Sequence, residues 1–189
     1  MGLDARRERD RVYQPAEDSD LLATAAREAA SSTDRVLDVG TGSGYVAHEV
    51  AETGARAIGV DRNPHACREA RDHGIEAVRG DLTAPFAPDS FDLVTFNPPY
   101  LPTDPDDEAD DWMGVALSGG ETGRAVIEPF LADVGRVLAP SGRVLLLVSS
   151  LSDIDVVRER AASAGFEATA VAENSFPFET LVILRLDPT

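Results

Sequence analysis

The stretch VLDVGTGSG, residues 36–44, sets an apolar run directly against three glycines, Gly40, Gly42 and Gly44. It predicts a buried strand that hands the chain over to a helix through a tight turn. Glycine at such a junction admits positive φ and lets a ligand approach the backbone near a helix N-terminus. The spacing narrows the ligand. A dinucleotide fingerprint needs G-x-G-x-x-G, whose third glycine falls on Tyr45 here, and a P-loop needs a lysine, of which the chain has none. Asp38, two residues before the first glycine, is poorly placed beside a pyrophosphate but well placed near an ammonium or sulfonium group. That favours S-adenosyl-L-methionine.

Outward from this turn, β-branched runs alternate with alanine-rich helical ones. The predicted strands are 35–40, 55–61, 75–81, 91–97 and the fully apolar 144–150, with helices from about Gly44, near Pro64 and over 123–138. Continuous apolar strands divided by helices signify a parallel sheet covered on both faces. Leu21, Leu22, Ala25, Ala26, Ala29 and Ala30 behind Glu17 and Asp18 predict an opening helix. A helix over 153–164 leads to strands 166–174 and 178–186, joined so tightly around Phe176 and Pro177 that the last strand must run antiparallel. The expected fold is α/β, a mostly parallel seven-stranded sheet in a single domain over 1–189, with 1–16 as a polar lead-in. Residues 101–121, rich in Pro, Asp and Gly, read as a long surface loop.

Two further strand ends carry acids. Asp61 lies 21 residues past Gly40, where a carboxylate can accept both ribose hydroxyls, and Asp81-Leu82 offers a carboxylate to an adenine amino group beside an apolar face for its ring. The fourth strand ends in FNPPY, 96–100. Proline disfavours helix in the residue before it, so Asn97 and Pro98 are held extended as a stiff cradle. The Asn97 side-chain oxygen and the Pro98 carbonyl can accept from one planar NH2 group, with Tyr100 as a stacking face. An amide nitrogen is a poor nucleophile because its lone pair is delocalised. Two acceptors on its N–H bonds orient it and stabilise the positive charge that builds as a methyl group arrives.

Taken together, DVGTGSG, Asp61, Asp81-Leu82 and NPPY resemble a class I methyltransferase acting on a planar nitrogen, with the Rossmann-like fold of that class. The opening VYQPAEDS, 12–19, is similar to the archaeal and eukaryotic branch of the HemK/PrmC glutamine methyltransferases. The resemblance covers about 13–186 and implies methylation of the glutamine amide in the GGQ motif of a class 1 peptide-chain release factor. It implies that Asn97, Pro98, Pro99 and Tyr100 bind that amide, and that Tyr13, Pro15 and Ser19 close over the methionine end of the cofactor. Asp38, Gly40, Gly42, Gly44, Asp61, Arg62, Asp81, Leu82 and Asn97 surround the rest. It also implies a heterodimer with a small zinc-binding activator protein.

The residues alone leave rivals open: an adenine-N6 methyltransferase on DNA or RNA, a small-molecule N-methyltransferase, or a non-catalytic subunit that binds the cofactor. Composition bears on the first. Among 189 residues, 34 Asp plus Glu face 17 basic residues, every one of them arginine, for a formal charge of −17. Such a surface repels duplex nucleic acid. Cys67 is the single cysteine, which excludes an internal disulfide or an all-cysteine zinc site, and no metal is expected. The charged N-terminus carries no apolar run, so neither a signal peptide nor a membrane span is expected, and the protein reads as cytoplasmic.

The charge also predicts a halophilic source. Carboxylate repulsion reaches about 8 Å at physiological ionic strength and about 3 Å in molar salt. Unfolding midpoints measured against KCl should therefore rise steeply toward molar concentrations; a maximum at low salt would contradict the halophilic reading.

Overall fold

The computed structural model describes residues 11–104, 106 and 111–189. The first ten residues of the polar lead-in, and 105 and 107–110 of the acidic segment, lie outside the described residues. In chain order the elements are α1 (Glu17–Ala29), β1 (Arg35–Val39), α2 (Tyr45–Ala51), β2 (Arg56–Asp61), α3 (Pro64–Asp72), β3 (Glu76–Arg79) and β4 (Phe91–Phe96). There follow α4 (Trp112–Leu117), α5 (Ile127–Val137), β5 (Leu138–Ser149), a 3-10 turn (Ser150–Ser152), α6 (Ile154–Ser163), β6 (Phe166–Phe176) and β7 (Glu179–Pro188). The sheet order is β3-β2-β1-β4-β5-β7-β6. β1 to β5 pair parallel, and β7 runs antiparallel to both β5 and β6. The seven-stranded, mostly parallel sheet with an antiparallel last strand is thus as expected.

Each strand supplies both faces of the sheet because successive side chains point to opposite sides. Leu37, Val94 and Leu146 pack with Phe130 and Val134 of α5 and Val157 of α6. Their neighbours Val36, Leu93 and Leu145 pack on the other face with Leu22 and Ala26 of α1. Local chemistry sets the helix starts. Glu17, Asp18 and Asp20 occupy the first turn of α1, where the helix dipole favours anions. Asn63 caps α3 by accepting from the His65 N–H, with Pro64 at the first helical position.

Three boundaries differ from expectation. The helix expected from Gly123 begins at Ile127, because Gly120 and Gly123 take positive φ and make a turn instead. β3 stops at Arg79, so Asp81 lies in the turn beyond it. Residues 101–121 are not wholly irregular. Asp111 caps α4 by accepting from the Gly114 N–H, and Leu101 bridges to Ser118, so the segment closes on its own ends.

This topology fixes where a ligand can sit. The chain builds outward through β1, β2 and β3, then returns to place β4 on the other side of β1. The crevice beyond the carboxyl ends of β1 and β4 is such a switch point. The opposite end of the sheet is tied by Arg143, which donates to the Asp34 carboxylate at 2.8 Å, to the Asp92 carbonyl at 3.0 Å and to the Ala29 carbonyl. Arg143→Ala leaves the mostly buried Asp34 carboxylate with only the Ser31 N–H among the described residues, so it should cost about 3 kcal/mol in urea unfolding while kcat stays unchanged.

Candidate active site

A cleft opens at that switch point, and nearly every residue singled out from the sequence lines it: Tyr13, Pro15, Ser19, Asp38, Gly40, Gly42, Asp61, Arg62, Asp81, Leu82, Asn97, Pro98, Pro99 and Tyr100. Gly44 is not among the lining residues and meets a neighbouring helix instead. A Cβ there would stand 3.0 Å from the Ala70 Cβ, at φ +83°, so this glycine lets α2 begin against α3. Gly40 and Gly42 also have positive φ, at +63° and +55°. The N-terminal segment crosses the turn. A Cβ on Gly42 would lie 3.8 Å from the Tyr13 carbonyl, and the Asn63 side chain holds that segment by donating to the Arg11 carbonyl at 2.7 Å.

Asp38 is almost fully buried, and its carboxylate has partners of the protein's own. It accepts from the Thr41 hydroxyl at 2.7 Å, from the Thr95 hydroxyl at 2.8 Å and from the Ala47 N–H. Burial still pushes it up to about 6, against these hydrogen bonds. Asp61 at the end of β2 accepts from the Gly42 N–H at 3.0 Å and the Asn63 N–H at 2.8 Å, and burial raises it too. The Arg62 N–H also bonds this carboxylate, whose four lone-pair sites still exceed its donors and leave room for a ligand hydroxyl. Asp81 is exposed on the rim, 3.8 Å from Arg62. Leu82 sits at φ +47° with its side chain half-buried against the core.

Beyond β4, Asn97 donates from Nδ2 to the Asp18 carboxylate at 3.0 Å. Its Oδ1 is buried with no partner among the described residues. Leaving such an acceptor unsatisfied costs about 1–3 kcal/mol, which a ligand N–H recovers. The Tyr100 phenol is raised by burial and then by Asp18, and Tyr13 is pushed up to about 12 by burial and the same carboxylate, so both remain neutral. The Ser152 hydroxyl lies 3.1 Å from both the Tyr100 and the Gly123 carbonyls, and its single O–H is shared between them. Trp112, Val115 and Ala116 of α4 line the same cleft beside this motif.

Residues 36–120 match a family described as a methyltransferase domain. A Methanocaldococcus jannaschii protein, named provisionally as a protein N5-glutamine methyltransferase, is 33% identical across 92% of this chain and 90% of its own length. The chain belongs to this glutamine methyltransferase family. Human HEMK2 is 32% identical over 92% of the chain and 88% of its own length. A chain from the E. cuniculi Mtq2-Trm112 complex, responsible for methylation of the eRF1 translation termination factor, superposes with a TM-score of 0.76. It is 30% identical, over 94% of this chain and 99% of that one.

The donor set of this methyltransferase fits S-adenosyl-L-methionine, its cofactor: a glycine turn open to backbone contact, a strand-end carboxylate with a free lone-pair site, and apolar Val60 and Leu82 beside them. Other residues that shape the site escaped the sequence reading. Gly59 is needed because a Cβ there would meet the Thr41 side chain at 2.6 Å; Gly123 is needed because a Cβ would meet the Tyr100 carbonyl at 2.5 Å. Asp18 was visible as a helix-start acid and as the end of the YQPAED turn, but not as a partner of Asn97. Its tie to Asn97 spans 79 residues.

Asp38 gives the methyltransferase a pH signature. Its folded value near 6 lies above the ordinary 3.8, so between those values the native state binds more protons than the unfolded chain and loses stability as pH rises. The cost is complete above pH 6, on the order of 3 kcal/mol. Urea unfolding of cofactor-free Asp38→Asn should therefore gain on wild type from pH 4 to pH 6 and hold that difference above; a difference independent of pH would contradict the burial cost.

Proposed function

We propose that this chain, as one catalytic unit over 1–189, methylates the side-chain amide of the glutamine in the GGQ motif of a class 1 release factor. The observation that carries the reading is the buried, unpaired Asn97 Oδ1, which lies in the same cleft as the glycine turn. Such an acceptor calls for an N–H donor, and a planar NH2 also has a second N–H for the Pro98 carbonyl. The glutamine methyltransferase name of the relative at 33% identity and the eRF1 methylation by the Mtq2-Trm112 complex support the same substrate class.

The chain's own groups divide the work. Asp61 would accept the ribose hydroxyls, Gly40 and Gly42 would let the methionine portion lie on backbone, and Asp38 would face its ammonium. Leu82 and Asp81 would take the adenine ring and its amino group, with Arg62 beside them; Tyr13, Pro15 and Ser19 would cover the methionine end. The bound cofactor supplies a methyl group activated by sulfonium. Asn97 and Pro98 would hold the acceptor nitrogen in line, and Pro99 and Tyr100 would wall the glutamine side chain. No dedicated base is needed, because the charged product nitrogen is acidic enough to lose its proton to solvent.

Wider assignments belong to the same proposal. The enzyme would act in the cytoplasm of a halophile as a heterodimer with a small zinc-binding activator; the Mtq2-Trm112 complex supports the pairing with a second chain. No helix of the described residues is long and apolar enough to cross a membrane.

Labelled cofactor offered with release factor, its GGQ-to-GGA variant and duplex DNA, with and without the activator, tests the reading. Label should reach release factor alone and vanish with the variant; label on DNA, or equally on the variant, overturns it. Asn97→Ala should lower kcat at least about 100-fold while cofactor affinity by calorimetry changes little. Lost affinity with preserved turnover would contradict its role.

A further inference from the structure

An asparagine amide presents a donor on one side and an acceptor on the other, and rotation about its last bond exchanges them. Nothing in Asn97 itself decides which side faces the cleft. Its neighbour does. Asp18, at the first turn of α1, is 5% exposed, and an ionised carboxylate can only accept. The Asn97 Nδ2 lies 3.0 Å from Asp18 Oδ2. With the NH2 committed there, Oδ1 is the atom left over, and it is the buried atom without a partner.

Asp18 is itself held in place. Its Oδ1 accepts from the Ser19 N–H at 2.7 Å and the Ser19 hydroxyl at 3.2 Å, and Oδ2 accepts from the Tyr13 hydroxyl at 3.3 Å. The helix N-terminus favours its charge. A carboxylate pulling on one end of an amide also polarises the other, so Oδ1 becomes a stronger acceptor.

Resting on the glutamine reading above, we infer that Asp18 is a positioning residue that locks the Asn97 amide in its acceptor orientation and thereby selects a glutamine over a glutamate. The two side chains have the same shape. Glutamine brings N–H donors to Asn97 Oδ1; a glutamate carboxylate brings lone pairs to it, with the charge of Asp18 behind. Asp18→Asn keeps the size of the side chain and removes the lock, because its amide can donate to Asn97 as well as accept from it. The flipped Asn97 then offers its NH2 to the cleft, which loses the amide and tolerates the acid.

The test uses the full chain with its activator, release factor as substrate, and release factor carrying glutamate in the GGQ motif as competitor. Asp18→Asn should bind cofactor within about threefold of wild type, lose at least about thirtyfold in kcat, and reduce the preference for glutamine over glutamate at least about tenfold. Unchanged turnover, or lost turnover with that preference intact, overturns the inference. A second readout needs no substrate. In a nitrogen-15 spectrum the Asn97 side-chain NH2 should give one downfield, slowly exchanging proton in the wild type and lose that signature in Asp18→Asn. Were release factor to receive no label from the wild type, the glutamine reading would fail, and the spectrum would still decide the lock. An Asn97 amide signal identical in both proteins would sink it.

Discussion

One buried carboxylate positions both halves of the cleft. Asp38 sits in β1 and is held by a hydroxyl from the glycine turn, a hydroxyl from β4 and an N–H from α2. A charge taken out of water is tolerable only when hydrogen-bonded this fully, and so it fixes the three elements that satisfy it. Thr95 lies two residues before Asn97. The anchor that shapes the glycine turn therefore also sets the height of the unpaired Asn97 oxygen in the cleft. Relative placement of donor and acceptor is most of what a methyl transfer asks of a protein, since the leaving group is already activated.

Much of this was legible because it is local. Apolar runs interrupted by helical periodicity gave the sheet, and the tight 176–178 connection gave its antiparallel last strand. VLDVGTGSG and FNPPY marked the two strand ends that meet at the switch point. What escaped depends on contacts between distant segments. Gly44 has the residue type of a ligand-touching glycine, yet its neighbour is Ala70 of another helix. Gly59 looks like an ordinary strand glycine until Thr41 is seen folded over it. The short α4 has no periodicity long enough to read, and its start depends on a single aspartate cap. Asp18 reads as a helix-start acid, and only the fold brings Asn97 to it.

The charge balance has a structural counterpart. Where salt shrinks the reach of charges to a few ångströms, only contact pairs keep their strength. The chain's basic residues are all arginines, and several act as two-pronged donors. Arg136 grips Asp133 at 2.9 and 2.7 Å, and Arg185 grips Asp187 with two contacts of 2.8 Å. Planar forks of this kind keep their geometry as well as their charge. The carboxylates in excess of them remain for hydration.

Leu82 shows how far from the cleft its shape is decided. A non-glycine residue at φ +47° stores on the order of 1–3 kcal/mol of backbone strain and persists only where its surroundings insist. Those surroundings are on α5. Asp133 accepts from the Thr83 hydroxyl at 2.6 Å, and Arg136 donates to the Thr83 and Phe86 carbonyls at 3.1 and 2.7 Å. The floor on this side of the cleft is thus a sprung segment with its latch on an outer helix. Evolution can reshape that wall by loosening the latch, without altering any residue that lines the cleft.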